Sequence, residues 1–278
     1  MTYATVHLHL TPYPAPTSLS AINYACALAN LFEAKLAVSS SHLEIRAPQN
    51  WIDGAMMSPM ARELETITAA KTQALELHVQ REALLQGIPV KIAHTKEHWP
   101  GGLADDAWRG RTSDLCVLGL SPDSAEPRPY VEDWLFGSGR PCILYPDDTK
   151  QPFSAENVLI CWDYSKSAAR TVSDALPFLH NTKRVRVAVF RGEKDIPVAD
   201  PTTPLVAFLA DHGVKVEAED VAIGKRTIGA AILEHANATG TNLIMMGAFG
   251  HSRLREFLLG GATRELLAKT TLPLFVSH

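Results

Sequence analysis

Three short apolar segments occur twice in this chain at nearly the same spacing. "GIPVKIA" at 87 returns as "GVKVEAE" at 213, "SDLCVLGL" at 113 as "TNLIMMGA" at 241, and "RPCILY" at 140 as "LPLFVS" at 272, offsets of 126, 128 and 132 residues. An offset this constant through three strands points to a tandem repeat, and two halves with one order of elements share one architecture. Strands and helices alternate in both. The first half reads as strands "TVHLHL", "KLAVSSSHL", "IPVKIAHT", "DLCVLGL" and "PCILYP", separated by the helix "SLSAINYACALANLFEA", a long helix over 59–86, the short helix "GGLADDAWRGR" and a helix near 129–139. The second reads "NVLICW", "RVRVAVF", "VKVEAEDV", "NLIMMGA" and "LPLFVS", with helices "SAARTVSDALPFLH", "PLVAFLADH", "TIGAAILEHANAT" and "ATRELLAKT" between them. Near-continuous apolar strands such as "NLIMMGA" belong to parallel sheets covered on both faces. The expected fold class is therefore α/β, two tandem five-stranded parallel-sheet α/β sandwiches. The polar stretch "YPDDTKQPFSAEN", 145–157, carries two prolines and is the expected linker. It separates an expected domain of residues 1–148 from one of 154–278.

Charge and cysteine usage exclude several classes of function. With 26 Lys and Arg against 30 Asp and Glu, the net charge is −4. A broad attraction to nucleic acid or to an anionic membrane is not expected. No apolar run approaches the roughly 20 residues of a membrane span. "MTYATVHLHLTPYP" lacks a basic n-region and a long apolar core, so no signal peptide is expected. Cys26, Cys116, Cys142 and Cys161 are scattered with no CxxC and read as reduced, mostly buried thiols of a cytoplasmic protein.

The richest chemical motif is "GAFGHSRLREFLLGGATRELL", residues 247–267. Gly247 ends the fourth strand of the second half, Gly250 and Gly260 follow, and Gly261 opens the last helix. Glycines permit positive φ and close backbone approach to a ligand. A helix N-terminus offers free N–H groups and partial positive charge, a setting suited to phosphate. The stretch has no G-K-[ST] and follows the fourth strand of its half, not the first. It is neither a Walker loop nor a dinucleotide fingerprint. By itself it reads either as an anion site or as glycines that let a turn and a helix pack.

The spacing G-x2-G-x9-G at the end of a fourth strand resembles the ATP-binding subgroup of the universal stress protein family. The tandem order resembles that family's two-domain members. The resemblance covers essentially the whole chain, more strongly 154–278 than 1–146. It implies an adenine nucleotide alpha hydrolase-like fold with strand order 3-2-1-4-5 in each half and a pseudo-two-fold relation between them. It also implies an adenine nucleotide (ATP, ADP or AMP, with Mg as a companion ion) at the carboxyl ends of strands one and four. By the resemblance, Asp163 contacts the adenine and ribose region and Val189 supplies a backbone contact to adenine. Gly247, Gly250 and Gly260 are the motif glycines, His251, Ser252 and Arg253 line the phosphates, and Gly261 and Ala262 begin the last helix. The family has Ser or Thr where Gly261 stands, so a hydroxyl toward the terminal phosphate is missing here; Thr263 replaces it only if the helix start shifts. The function implied is a stress-response module occupied by nucleotide, with at most weak ATPase activity. A protein-interaction or chaperone-like scaffold with a relic motif is the alternative. A homodimer is a further possibility, as is pairing of the last strands of the two halves within one chain.

The first half is not expected to repeat the site. "GLSPDSAEPRP" keeps Gly119 but has Pro122 at the second glycine, and "HLHLTP" has no acid where Asp163 stands. Gly137 of "FGSG" lies four residues before Pro141 and reads as a helix stop. His9, His42 and His94 fall near the carboxyl ends of three neighbouring strands, with His7 and His98 close by. Such imidazoles suit a transition metal or plain hydrogen bonding, and no metal is assigned. Asp105 and Asp106 are adjacent on a helix, hence about 100° apart, and form no acid–base pair. No nucleophile elbow or metal carboxylate cluster supports an enzyme, and no catalytic residue is named. The helix over 59–86 reads as a surface helix, and Lys225 and Arg226 as loop charges within possible reach of a phosphate.

Overall fold

The computed structural model describes residues 2–13, 15–45, 51–99, 104–120, 127–147, 153–192, 198–248 and 261–278. The chain separates into two compact units, Tyr3–Gly139 and Arg140–His278.

The first unit runs β1 (Thr5–Leu10), α1 (Leu19–Leu31), β2 (Lys35–Ile45), α2 (Trp51–Gln86), β3 (Val90–Trp99), a 3₁₀ segment (Ala104–Thr112), β4 (Leu115–Leu120) and α3 (Pro127–Ser138). Its strands lie in the order β3-β2-β1-β4 with every pair parallel. Its core encloses Leu8, Ile22, Leu28, Leu36 and Leu118 together with Trp134 of α3, all shielded from solvent. Ser18 caps α1 by accepting from Ala21 N at 3.0 Å, a contact worth about 1 kcal/mol.

Three local readings change. α2 begins at Trp51 and continues through Pro59, where the sequence reading starts the helix. Proline is favoured in a first helical turn, so it invites that start. Within the expected short helix, Ala104–Thr112 winds as 3₁₀, not as an α-helix. Close packing accompanies the tighter winding: a Cβ on Gly110 would lie 2.8 Å from Cys116 Sγ and 2.9 Å from Ser138 Cβ. Gly137 is not the stop of α3. It sits inside the helix, where its missing side chain admits Ala107, and Gly139 at φ +62° takes the left-handed stop position.

The second unit runs β5 (Cys142–Pro146), β6 (Asn157–Cys161), α4 (Lys166–Leu179), β7 (Arg184–Arg191), α5 (Thr203–Asp211), β8 (Val216–Ala222), α6 (Ile228–Ala238), β9 (Leu243–Gly247), α7 (Gly261–Lys269) and β10 (Leu274–Ser277). The strand order is β5-β10-β9-β6-β7-β8. From β6 to β10 this is the 3-2-1-4-5 order, all parallel. β5 adds an antiparallel strand to β10, with Leu144 opposite Leu274 and Ile143 opposite Phe275. "PCILYP" and "LPLFVS" thus pair within one compact unit. Phe178 of α4 and Phe275 of β10 are fully buried edge to face, 5.7 Å between centroids. Burial of each ring contributes about 2–3 kcal/mol.

Candidate functional site

β6 and β9 are neighbours, with Cys161 opposite Met246. The chain leaves β6 through α4 toward β7 on one side, while β9 lies on the other. The carboxyl ends of β6 and β9 therefore flank the point where strand order reverses, the place where open α/β sheets bind ligands.

Asp163 stands just beyond β6 and is exposed. Its Oδ1 accepts from Ser165 N at 3.0 Å, and Ser165 Oγ in turn accepts from Ala168 N at 3.1 Å, capping α4. Tyr164 between them has φ +60°, a left-handed conformation unusual for a side chain of this size. Trp162 anchors the turn from the other side: its indole N–H donates to Pro201 O at 2.7 Å, and its ring meets Tyr164 edge-on at 5.9 Å. A strained, anchored turn thus presents the Asp163 carboxylate at the switch point. Val189 is fully buried in β7, opposite Asp220 of β8.

Gly247 ends β9. A Cβ there would lie 2.4 Å from Ala168 N and 2.6 Å from Ser167 Oγ, so only glycine lets α4 come this close. Thr171 Oγ1 fastens the same contact by donating to Met246 O at 3.1 Å. α7 begins at Gly261, with Ala262 partly exposed in its first turn. Thr263 is buried. Gly250, His251, Ser252, Arg253 and Gly260 lie outside the described residues.

A cavity of about 380 Å³ lies beside the start of α7, lined by Gly192, Ile223, Lys225, Arg226, Ala262 and Glu265 among others. Of the site residues expected from sequence that are described, only Ala262 lines it. Arg226 is tied down, donating to Glu234 Oε2 at 2.8 Å and to Ile223 O at 2.9 Å. Lys225 makes no hydrogen bond or ion pair among the described residues and is exposed. Glu265 is turned toward α6: it accepts from the Thr227 hydroxyl and from Lys269 Nζ at 2.9 Å. These hydrogen bonds, Thr227's first, hold its carboxyl below the ordinary range. Sequence reasoning did not name Glu265, because nothing in the spacing of α7 shows that α6 begins against it.

The four cysteines are free and buried. Burial pushes the Cys26 thiol up to about 12. Cys161 is raised further, by burial and then by the Asp163 charge. Both remain thiols at neutral pH and are poor nucleophiles there.

In the first unit the expected histidine trio is divided by strand register. His9 pairs with Ser39, while His94 pairs with Ser40. Successive side chains of a strand point to opposite faces, so His9 lies on one face of the sheet and His42 and His94 on the other. His7 Nε2 and His9 Nδ1 share Ser39 Oγ at 3.0 and 2.8 Å. Trp134 and Tyr130 of α3 pack over His9, centroids 4.8 and 5.9 Å away. His42 and His94 instead meet Glu76 of α2. The His98 side chain lies outside the described residues.

Residues 155–278 match the sequence model of the universal stress protein family. Strands β6 to β10, with the switch point between β6 and β9, lie within this matched segment. A curated relative, the universal stress protein Slr1230 of Synechocystis sp., is 28% identical over 140 residues, 48% of this chain and 45% of that protein. The match thus spans about half the length of that relative. Across the whole chain, the crystal structure of a universal stress protein from Archaeoglobus fulgidus DSM 4304 superposes with a TM-score of 0.72 at 17% identity, covering 98% of this chain and 95% of that one. A structure from Pseudomonas aeruginosa UCBPP-PA14 gives 0.58 at 15% identity, covering 99% and 93%. At these identities the likeness establishes the α/β fold over both halves. Among the described residues no helix is long and apolar enough to cross a membrane.

Proposed function

We propose that the second unit binds an adenine nucleotide at the β6/β9 switch point and that the chain acts as a stress-response module governed by nucleotide occupancy. The observation that carries this reading is the Asp163 turn: an exposed carboxylate held by a left-handed Tyr164 and an anchored Trp162 at the crevice between two parallel strands. The described residues fit a nucleoside phosphate. Asp163 is an acceptor for ribose hydroxyls. The first turn of α7 and Lys225 give the cavity at Ala262 positive character suited to phosphate. Mg would travel with a triphosphate. No catalytic residue is assigned, and hydrolysis, where present, is slow.

Calorimetric titration with ATP, ADP and AMP tests the reading, repeated on Asp163→Ala and Gly250→Val. Binding in the wild type that is weakened in both variants is expected. Absence of heat with all three nucleotides sinks it. Gly261→Ser restores a hydroxyl hydrogen bond to a charged oxygen, worth about 1.5–3 kcal/mol. It should tighten ATP by about one to two decades while leaving AMP nearly unchanged.

One observation favours the scaffold reading. Gly247 is demanded by the packing of α4, with or without a ligand. Under that reading the fold is equally stable without nucleotide, and partner binding survives Asp163→Ala.

A further inference from the structure

Three elements of the first unit bring chemically matched groups to one point away from the switch-point site. In the β2–β3 register Ser40 is opposite His94 and His42 opposite Lys96. His42 and His94 therefore share a face and are diagonal neighbours. α2 packs against β2 there, with Thr72 Oγ1 donating to Ser41 O at 3.2 Å. One helical turn further on, Glu76 reaches both imidazoles. His42 Nε2 and His94 Nδ1 are 3.2 Å apart. Glu76 Oε1 is 3.2 Å from His94 Nδ1 and 3.7 Å from His42 Nε2. In a tetrahedral zinc site with bonds of about 2.1 Å, ligand atoms stand about 3.4 Å from one another. The triangle has the size that such coordination needs.

A second observation concerns the carboxylate. Glu76 Oε1 is closed off from solvent and has no hydrogen bond of acceptable geometry among the described residues. An anionic oxygen removed from water without a well-formed hydrogen bond is costly. Lys96, the nearest cation along β3, is engaged by Glu44 instead. A divalent cation bound by the three groups would remove that cost.

We propose that His42 Nε2, His94 Nδ1 and Glu76 Oε1 bind a divalent transition-metal ion of the zinc class. Two imidazoles and one carboxylate form a nitrogen–oxygen donor set of that class. His94 is 61% exposed, which leaves the fourth position open to water. The ion ties α2 to β2 and β3, and its binding releases protons from any protonated imidazole.

The test is calorimetric titration of the full chain, stripped with chelator, with Zn²⁺, followed by Co²⁺ absorption spectra. A single saturable site is expected, with the intense visible bands of four-coordinate cobalt. Zn²⁺ should also raise the melting temperature. Glu76→Gln and His94→Ala should each weaken zinc by more than about tenfold, the scale already lost when supporting residues of metal sites are removed. Both variants should lose the cobalt bands and the thermal shift. Glu76→Gln is close in shape to the native residue and keeps the test valid should His94→Ala fail to fold. No saturable zinc binding, or unchanged affinity in Glu76→Gln, overturns the proposal.

Discussion

Ser39 Oγ stands between two imidazoles, and the inner of these, His7, is held neutral. Burial first, then the His9 and Arg109 charges, lowers its pKa from 6.5 to about 3. The sign follows from proton uptake. Between about pH 6.5 and pH 3 the unfolded chain binds a proton at His7 that the folded chain does not. Stability is unaffected by this group above pH 6.5 and falls as pH drops through the window, by up to about 1.4 kcal/mol per pH unit. His7→Gln keeps a polar group near Ser39 and removes the titration. Urea unfolding at several pH values should show a shallower acid loss for the variant; equal slopes would remove His7 as the cause. "VHLHL" shows two histidines on one face, but not that this face is the one closed by Trp134.

At the scale of elements, helix starts do more than end-cap. Thr227 caps α6 by accepting from Ala230 N at 3.3 Å, and its hydroxyl donates to Glu265 of α7. Gly229 leaves room for that carboxylate, since a Cβ there would lie 2.6 Å from Glu265 Oε2. The acid also complements the positive end of α6. Thr227→Ala should cost about 1 kcal/mol, the usual loss of a cap. It should also raise the Glu265 pKa toward its ordinary value, because the Thr227 hydrogen bond is the largest cause of its depression. Carboxyl-detected NMR titration reads the second effect, and Thr227→Ser should restore both. The cap residues are visible in sequence, as Ser18, Ser165 and Thr227 each precede an apolar-periodic run. The α6–α7 contact is not, because 38 residues separate Thr227 from Glu265.

For the whole molecule, the decisive strand is β5. It lies in the compact unit of residues 140–278 and pairs antiparallel with β10, whose four residues are all buried. A fragment of residues 154–278 lacks that ladder and exposes an apolar edge. It should self-associate, since such edges template pairing with another copy. A fragment of residues 140–278 keeps β5 on β10, with Pro141 and Pro146 bounding the outer strand, and should self-associate less. Sedimentation of the two fragments distinguishes them, and identical behaviour would mean that β5 does not protect the edge.

The order of strands β6 to β10 came with the family resemblance; the sequence by itself determined the alternation of strands and helices, Gly247 at the end of one strand and Asp163 just beyond another. These are properties of local periodicity and of connection rules, which adjacent residues carry. Tertiary structure alone decided which groups meet. Register by one residue sent His9 to one face and His94 to the other, and a helix far along the chain brought Glu76 to the remaining pair. Gly247 has a packing duty beside any ligand duty, because α4 lies against it. Faces and long-range contacts depend on pairing register and helix placement, and neither is written in the spacing of a single segment.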